Sequence, residues 1–279
     1  MNAWLLVPVK GLAAGKSRLR GWLDDAARVA LNEFFLRRTL ANACAFPGAA
    51  QTLVISDCAS ALRIAAGLGV RAMAQRSGPG LNRAAREGVD ALQRLGAERV
   101  IVLMADLPAV RSRDVQALAG RFADNVSVTI CPDKNGTGTN ALMIPAGTAM
   151  NTCFGEASLV RHCREAIRAG LVPRLHHDPR IALDIDTPSD LLEWLRARHD
   201  GANGIIAGAQ LRALMRDVQG IAAQASLREP GSLAALDAQD DQNTDLGGMP
   251  RAAVDLDAVD DDYVREGQAL SLPALGSVW

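Results

Sequence analysis

Lysine is scarce in this chain. Lys10, Lys16 and Lys134 are the only three among 30 basic residues, and arginine supplies the rest, a bias of the kind GC-rich bacterial genomes produce. The formal net charge is -1, which excludes bulk electrostatic attraction to nucleic acid or to a membrane surface. The five cysteines (Cys44, Cys58, Cys131, Cys153, Cys163) are odd in number and never in C-x-x-C spacing. That argues against a structural zinc site or a disulfide framework and for a reducing cytoplasm. No basic stretch precedes the short apolar run Trp4-Leu5-Leu6-Val7, so no signal peptide is read there. No run approaches the ~18 apolar residues of a membrane helix, and there is no internal repeat. The histidines carry no signal: His176-His177 has no Ser or Cys elbow beside it, and a hydrolase triad needs that nucleophile. A P-loop is absent too. It needs four residues between a glycine and the Gly-Lys pair, and only three separate Gly11 from Gly15-Lys16.

What is present is enough for one generous domain, or one domain plus an appendage: 279 residues, 49% of them hydrophobic. Its centre is Arg99-Val-Ile-Val-Leu-Met-Ala-Asp106-Leu-Pro108. Val100 to Met104 reads as a strand buried on both faces of a parallel sheet. In open α/β sheets ligands collect just beyond the carboxyl ends of the strands. A carboxylate there is expensive to bury unless a cation meets it, so Asp106 is a candidate holder of a magnesium ion carrying a nucleoside triphosphate. The alternative is that Asp106 caps a turn or the next helix.

Around this strand the chain alternates strands and helices, which predicts a mostly parallel sheet between helical layers. Strands are expected at Ala3–Val9, Thr52–Ile55, Val70–Ala74, Val126–Ile130, Ala141–Ile144, Leu171–Leu175 (at an edge, because Pro173 cannot donate a ladder bond) and Ile181–Asp186. Helices are expected at Ala26–Ala45, Ala59–Ala66, from Asn82 as cap to Leu95, Ser112–Phe122, Glu156–Ala169 with Leu159, Val160, Cys163 and Ile167 inward, and from Thr187-Pro188-Ser-Asp190 to Arg198. That last start has a Thr cap, Pro at the first position and an acid at the third. Right-handed crossovers put Lys16, Asn82 and Asp106 on one rim. Residues 201–279 read as an appendage. Ile205–Ala225 can form an amphipathic helix, and Glu229–Asp262, rich in Ala, Asp, Gln and Gly, has the composition of disorder.

Three further segments could carry chemistry. Lys10, Lys16 and Arg18 sit on the loop after the first strand and can reach a triphosphate, or are simply a solvated basic loop. Asp184 and Asp186, two apart on a strand, share a face. They repel unless a cation lies between them; with Asp106 they would supply the few carboxylates magnesium uses. Alternatively Asp186 caps the Thr187 helix. Gly136-Thr-Gly-Thr139 and Gly155-Glu-Ala-Ser158 offer hydroxyls and bare amides suited to an anion, or are an ordinary turn and cap.

In this order, Val7 to Leu19, Gly80-Leu-Asn82, Ala105-Asp-Leu-Pro108, Gly136-Thr-Gly-Thr-Asn140, Phe154-Gly-Glu-Ala-Ser158 and Asp184-Ile-Asp-Thr-Pro-Ser-Asp-Leu191 resemble the phospholactate guanylyltransferase family of coenzyme F-420 biosynthesis, over residues 1–198. The resemblance implies an α/β, Rossmann-like three-layer sandwich of the nucleotidyltransferase (glycosyltransferase-A) type at residues 1–200. It implies GTP and a phosphorylated three-carbon acid as partners, pyrophosphate as product, no nucleic acid and no membrane, and it leaves a homodimer open. Asp106, Asp184 and Asp186 match the Mg2+ ligands, Lys16 and Asp106 the catalytic positions, and Thr139, Gly155 and Ser158 the residues that hold the phospho-acid. Gly80, Leu81 and Asn82 lie where guanine is read, beside Lys10, Lys16 and Arg18 for the triphosphate. The acid is open among 3-phospho-D-glycerate, phosphoenolpyruvate and 2-phospho-L-lactate. Competing readings are a molybdenum-cofactor or sugar-phosphate nucleotidyltransferase of the same fold, and a non-catalytic nucleotide-binding protein.

Overall fold

The computed structural model describes residues 2–198 apart from 14 and 121–123. The expected Ile205–Ala225 helix and the disorder expected at 229–262 lie outside the described residues.

Seven strands form one sheet: β1 Ala3–Val9, β2 Thr52–Ser56, β3 Arg71–Ala74, β4 Arg99–Leu103, β5 Ser127–Pro132, β6 Thr139–Pro145 and β7 Val172–Leu175. Their order is β3-β2-β1-β4-β6-β5-β7. β1 pairs parallel with β2 and β4, β2 with β3, and β5 with β7. β6 runs against both neighbours. β1 shows why the sheet is buried on both faces. Leu5, Val7 and Val9 pack on one side with α1 (Asp25–Ala43), α2 (Ala59–Gly67) and α4 (Ser112–Gly120). Trp4 and Leu6 pack on the other with α3 (Leu81–Arg94) and α5 (Ser158–Arg168). The alternation is the period of two that a pleated strand imposes. α3 lies so close that a Cβ at Gly88 would meet the Leu6 methyl groups at 2.5 and 2.8 Å.

A third, smaller core joins Leu19, Leu23, Phe34 and Phe35 to Ile185, Leu191 and Trp194. It docks α7 (Pro188–Arg198) against the start of α1, with the Trp194 ring 5.6 Å from Phe35 and 5.9 Å from Phe34.

Three sequence expectations give way. Ile181–Asp186 is not a strand: Pro179–Ala182 is a short helix, α6. The Asp178 carboxylate accepts from the Arg180 and Ile181 amides at 2.8 and 3.1 Å, and Pro179 occupies the first turn. This capping signature outweighs the apolar run that follows it. On α5, Leu159 and Cys163 pack partly buried against the core as expected, while Val160 and Ile167 are exposed and Ser158, His162 and Ala166 are buried. The buried stripe is rotated away from Val160 and Ile167, because His162 has both ring nitrogens partnered and can be buried. Asn82 is not the α3 cap; Gly80 holds that position, and the Asn82 side chain is bonded elsewhere.

Candidate active site

The rim at the C-terminal ends of β1 and β4 carries a cluster of opposite charges. β1 and β4 are parallel neighbours, so the loops leaving them lie side by side. Lys16 on the first loop donates to Asp106 Oδ2 at 2.5 Å and to Asp186 Oδ1 at 3.3 Å. The lysine side chain is only 4% exposed, against 32% for Asp106 and 49% for Asp186. Burial alone would lower the Lys16 pKa, but the two carboxylates outweigh it and the net shift is upward. Lys16 therefore carries a firm positive charge at neutral pH. Asp184 has its pKa raised, first by burial, then by repulsion from Asp106 and, more weakly, Asp186; a hydrogen bond from Asn140 Nδ2 at 3.3 Å partly opposes this.

Polar groups of α1, buried or half-buried, hold the two loops. Arg28 donates to Gly15 O at 2.9 Å and Asn32 to Leu12 O at 2.7 Å. Asn32 packs so tightly on the turn that a Cβ at Gly15 would lie 2.7 Å from its side-chain nitrogen. Further along the same helix, Thr39 donates to Ala105 O at 3.2 Å and Arg38 to Pro108 O at 2.5 Å, on either side of Asp106. Asp184 and Asp186 reach the rim without a strand. Ile185 between them is fully buried in the small core, and its amide bonds to Asp106 O at 3.3 Å. Asp186 does not cap α7. That role falls to Thr187 with Asp190, whose carboxylate accepts from the Asp186 and Thr187 amides at 3.0 and 2.6 Å. Lys134, donating to Asp190 at 2.5 Å and Glu193 at 3.0 Å, ties the β5–β6 loop to the same helix.

A second cluster lies on the α3–α5 side of the sheet. Asn82 grips one residue at both ends: its oxygen accepts from Phe154 N at 2.6 Å and its nitrogen donates to Phe154 O at 3.0 Å. Thr152 Oγ1 donates to Asn82 O at 3.1 Å. His162 accepts from Cys153 N at 2.8 Å through Nε2 and faces Thr139 Oγ1 at 3.0 Å through Nδ1. Ser158 N bonds to Gly155 O at 3.2 Å, and Leu159 N to Thr137 O at 3.1 Å. Among the described residues only Lys16 (φ 58°) and Ala157 (φ 49°) are non-glycine residues in the left-handed region, one in each cluster. Such conformations cost about 1–3 kcal/mol and concentrate at ligand sites.

Thr139 and Asn140 join the clusters. Thr139 meets His162, while Asn140 donates to Ile181 O, Ala182 O and Asp184. The structure thus brings Lys16, Asp106, Asp184 and Asp186 together, and places Thr139, Ser158, Gly155 and Asn82 in the adjoining network. Leu81 packs partly buried against the core beneath it, and Gly80 accepts from Ala84 N at 3.0 Å. Lys10 and Arg18 are exposed. Among the described residues no three His, Cys, Asp or Glu side chains close around one point as a ready-made metal cage. Sequence reasoning missed His162 and the polar face of α1. Asn32 and Arg28, four apart on a helix otherwise read only for its apolar positions, were the available signal.

Comparison with known proteins places this arrangement. A family model described as "Guanylyl transferase CofC like" matches residues 3–222. The phosphoenolpyruvate guanylyltransferase of Conexibacter woesei is 35% identical over 207 residues, covering 72% of this chain and 92% of that protein. The 3-phospho-D-glycerate guanylyltransferase of Phenylobacterium zucineum is 34% identical over 194 residues, 68% of this chain and 88% of that protein. A crystal structure from Desulfovibrio desulfuricans G20, assigned as a nucleotide-diphospho-sugar transferase, superposes with a TM-score of 0.56 at 18% identity, over 80% of this chain and 98% of that one. It shares the fold.

Proposed function

This chain belongs to the CofC-like guanylyl transferase family, and from that premise we propose that it transfers GMP from GTP to a phosphorylated three-carbon acid, releasing pyrophosphate. The acid is phosphoenolpyruvate or 3-phospho-D-glycerate, as in the names of its relatives, or 2-phospho-L-lactate. The place of the reaction is coenzyme F-420 biosynthesis in the cytoplasm. The observation that carries the reading is the Lys16–Asp106–Asp186 contact with Asp184 coupled to it: three carboxylates and one lysine at the rim where this fold binds nucleotides.

The residues fit a divalent ion. Three carboxylates against one ammonium leave surplus negative charge; the Asp184 pKa is raised first by burial and then by repulsion from Asp106. Oxygen donors of this kind suit Mg2+, which is usually held by one or two carboxylates together with substrate phosphates rather than by a complete protein cage. Asp106, Asp184 and Asp186 would hold it. When bound it would neutralise charge on the triphosphate and the departing pyrophosphate.

The chain's own groups do the rest. The nucleophile is a phosphate oxygen of the acid, ionised near neutral pH because the second phosphate pKa is ~6, so no general base is required. That oxygen bonds to the α-phosphorus as the bond to the β-phosphate bridging oxygen breaks in line. Lys16, with Lys10 and Arg18 on the same loop, meets the developing charge. The Gly80-Leu81-Asn82 loop, anchored by Asn82 to Phe154, lies where the guanine is read; Thr139, Gly155 and Ser158 orient the acid.

The test is pyrophosphate release with GTP, ATP or CTP against each of the three acids. Release with GTP and one or more acids is expected. Tight GTP binding with no release for any acid would instead mark a nucleotide sensor.

A further inference from the structure

We propose that His162 is a positioning residue that fixes the Thr139 hydroxyl as an outward hydrogen-bond donor to the anionic group of the phospho-acid. The proposal rests on the reading that Thr139, Gly155 and Ser158 hold that acid.

The argument is one of hydrogen-bond polarity. His162 is fully buried on the inward face of α5, with the Phe154 ring 4.8 Å away at 72°. Its Nε2 lies 2.8 Å from the Cys153 backbone nitrogen. A backbone N–H can only donate, so Nε2 must be the bare nitrogen. Burial, reinforced by Arg161 and only partly offset by Glu165, lowers the ring pKa to about 4. The ring is therefore neutral at pH 7, and its single proton sits on Nδ1. Nδ1 lies 3.0 Å from Thr139 Oγ1, so the hydroxyl accepts there. A threonine hydroxyl has one proton to give; with the histidine side supplied by Nδ1–H, that proton turns to another acceptor. An anion is the acceptor that gains most from it.

The same ring also fixes the loop that carries Gly155. Cys153 is tied to His162 and Phe154 to Asn82, so two consecutive residues are held from two helices. Three residues beyond Phe154, Ala157 adopts a left-handed conformation just ahead of buried Ser158. His162 thus supports both sides of the acid site, through a side chain that does not itself reach the substrate.

Two substitutions test this. In His162→Met the side chain keeps its bulk and a weak sulfur acceptor near Cys153 N, but the donor to Thr139 is lost. Thr139→Val removes the hydroxyl. Each should raise KM for the acid about tenfold, the scale of one hydrogen bond to a charged group, while KM for GTP stays within about twofold. The double variant should be no worse than either single one, because both break the same chain of bonds. Equal rises in both KM values, or effects that multiply in the double variant, would overturn the proposal. A second measurement does not depend on the variants. Nitrogen-15 shifts of His162 in the wild type at pH 7 should report the Nδ1-protonated tautomer; an Nε2-protonated ring or an imidazolium would overturn it. If the wild type forms no pyrophosphate with any acid, the functional reading fails, and the tautomer result shows separately whether the hydroxyl is oriented as argued.

Discussion

Replacing Lys16 by methionine separates its charge from its packing. The methionine stem can still lie near Phe35, whose ring centroid is 6.0 Å from Nζ, but Asp106 and Asp186 lose their shared cation. Breaking a fully buried pair costs about 3–5 kcal/mol. Here Asp106 is 32% and Asp186 49% exposed, and water will screen the orphaned charges, so about 1–3 kcal/mol is the expected loss. For a domain of this size that lowers Tm by roughly 2–12 °C. The pH dependence has a definite sign. The wild-type Lys16 pKa is raised, so its stabilisation is complete below the ordinary lysine value and fades only as pH rises through the folded one. Between pH 4 and 8 the lysine stays charged. Turnover should fall about 100-fold, as when a transition-state charge partner is removed. Thermal melts of both proteins from pH 4 to 8, with pyrophosphate assays at pH 7, decide the matter. An unchanged Tm would refute the claim that Lys16 compensates these carboxylates.

Asp184→Asn should lower turnover by at least about 100-fold yet melt higher than wild type at pH 7, because it removes a half-buried, repelled charge. The raised Asp184 pKa means wild-type stability falls as pH rises through that value, and melts of the asparagine variant should lack this slope. Asp106→Asn should lose turnover to a similar extent with no gain in stability, since it also strips Lys16 of its nearer partner. Ile185→Ala should cost about 2–5 kcal/mol, measured by urea unfolding, and should lower activity even at temperatures where the protein stays folded. Chains ending at residue 200 and at residue 222 divide the segment inside the family match from the remainder. Both should fold and release pyrophosphate; aggregation of the shorter one alone, in light scattering, would show that 201–222 completes the core.

Much of this architecture was readable because single residues forced it. Val100–Met104 marked a strand buried on both faces, and it is the inner strand β4. Pro173 marked an edge, and β7 is one. Thr187-Pro188 with Asp190 marked the start of α7, and the capping bonds are there. The misreadings share a physical cause. Periodicity counts apolar residues and cannot see a polar group satisfied inside the fold. It put Val160 and Ile167 of α5 inward along with Leu159 and Cys163 because it could not know that His162 has two partners. It took Ile181–Asp186 for a strand because the Asp178 cap acts through backbone amides. It left Arg28, Asn32, Arg38 and Thr39 unexplained on α1 because their partners are loop carbonyls. Some of those lie some 70 residues along the chain.

Strand direction was the other hidden variable, and the site depends on it. In a parallel sheet every strand begins at the rim opposite the one where ligands bind. β6 alone runs against its neighbours, with Ala141 beside Leu103 at the end of β4. Its first residues therefore start at the working rim, next to Asp106. Consecutive residues of a strand face opposite sides, so Thr139 turns to His162 and the acid loop while Asn140 turns to Asp184. One two-residue step thus couples the carboxylate cluster to the segment read as the acid site. Reversed to match its neighbours, the same strand would carry Thr139 and Asn140 to the far rim, and the two halves of the site would have nothing between them.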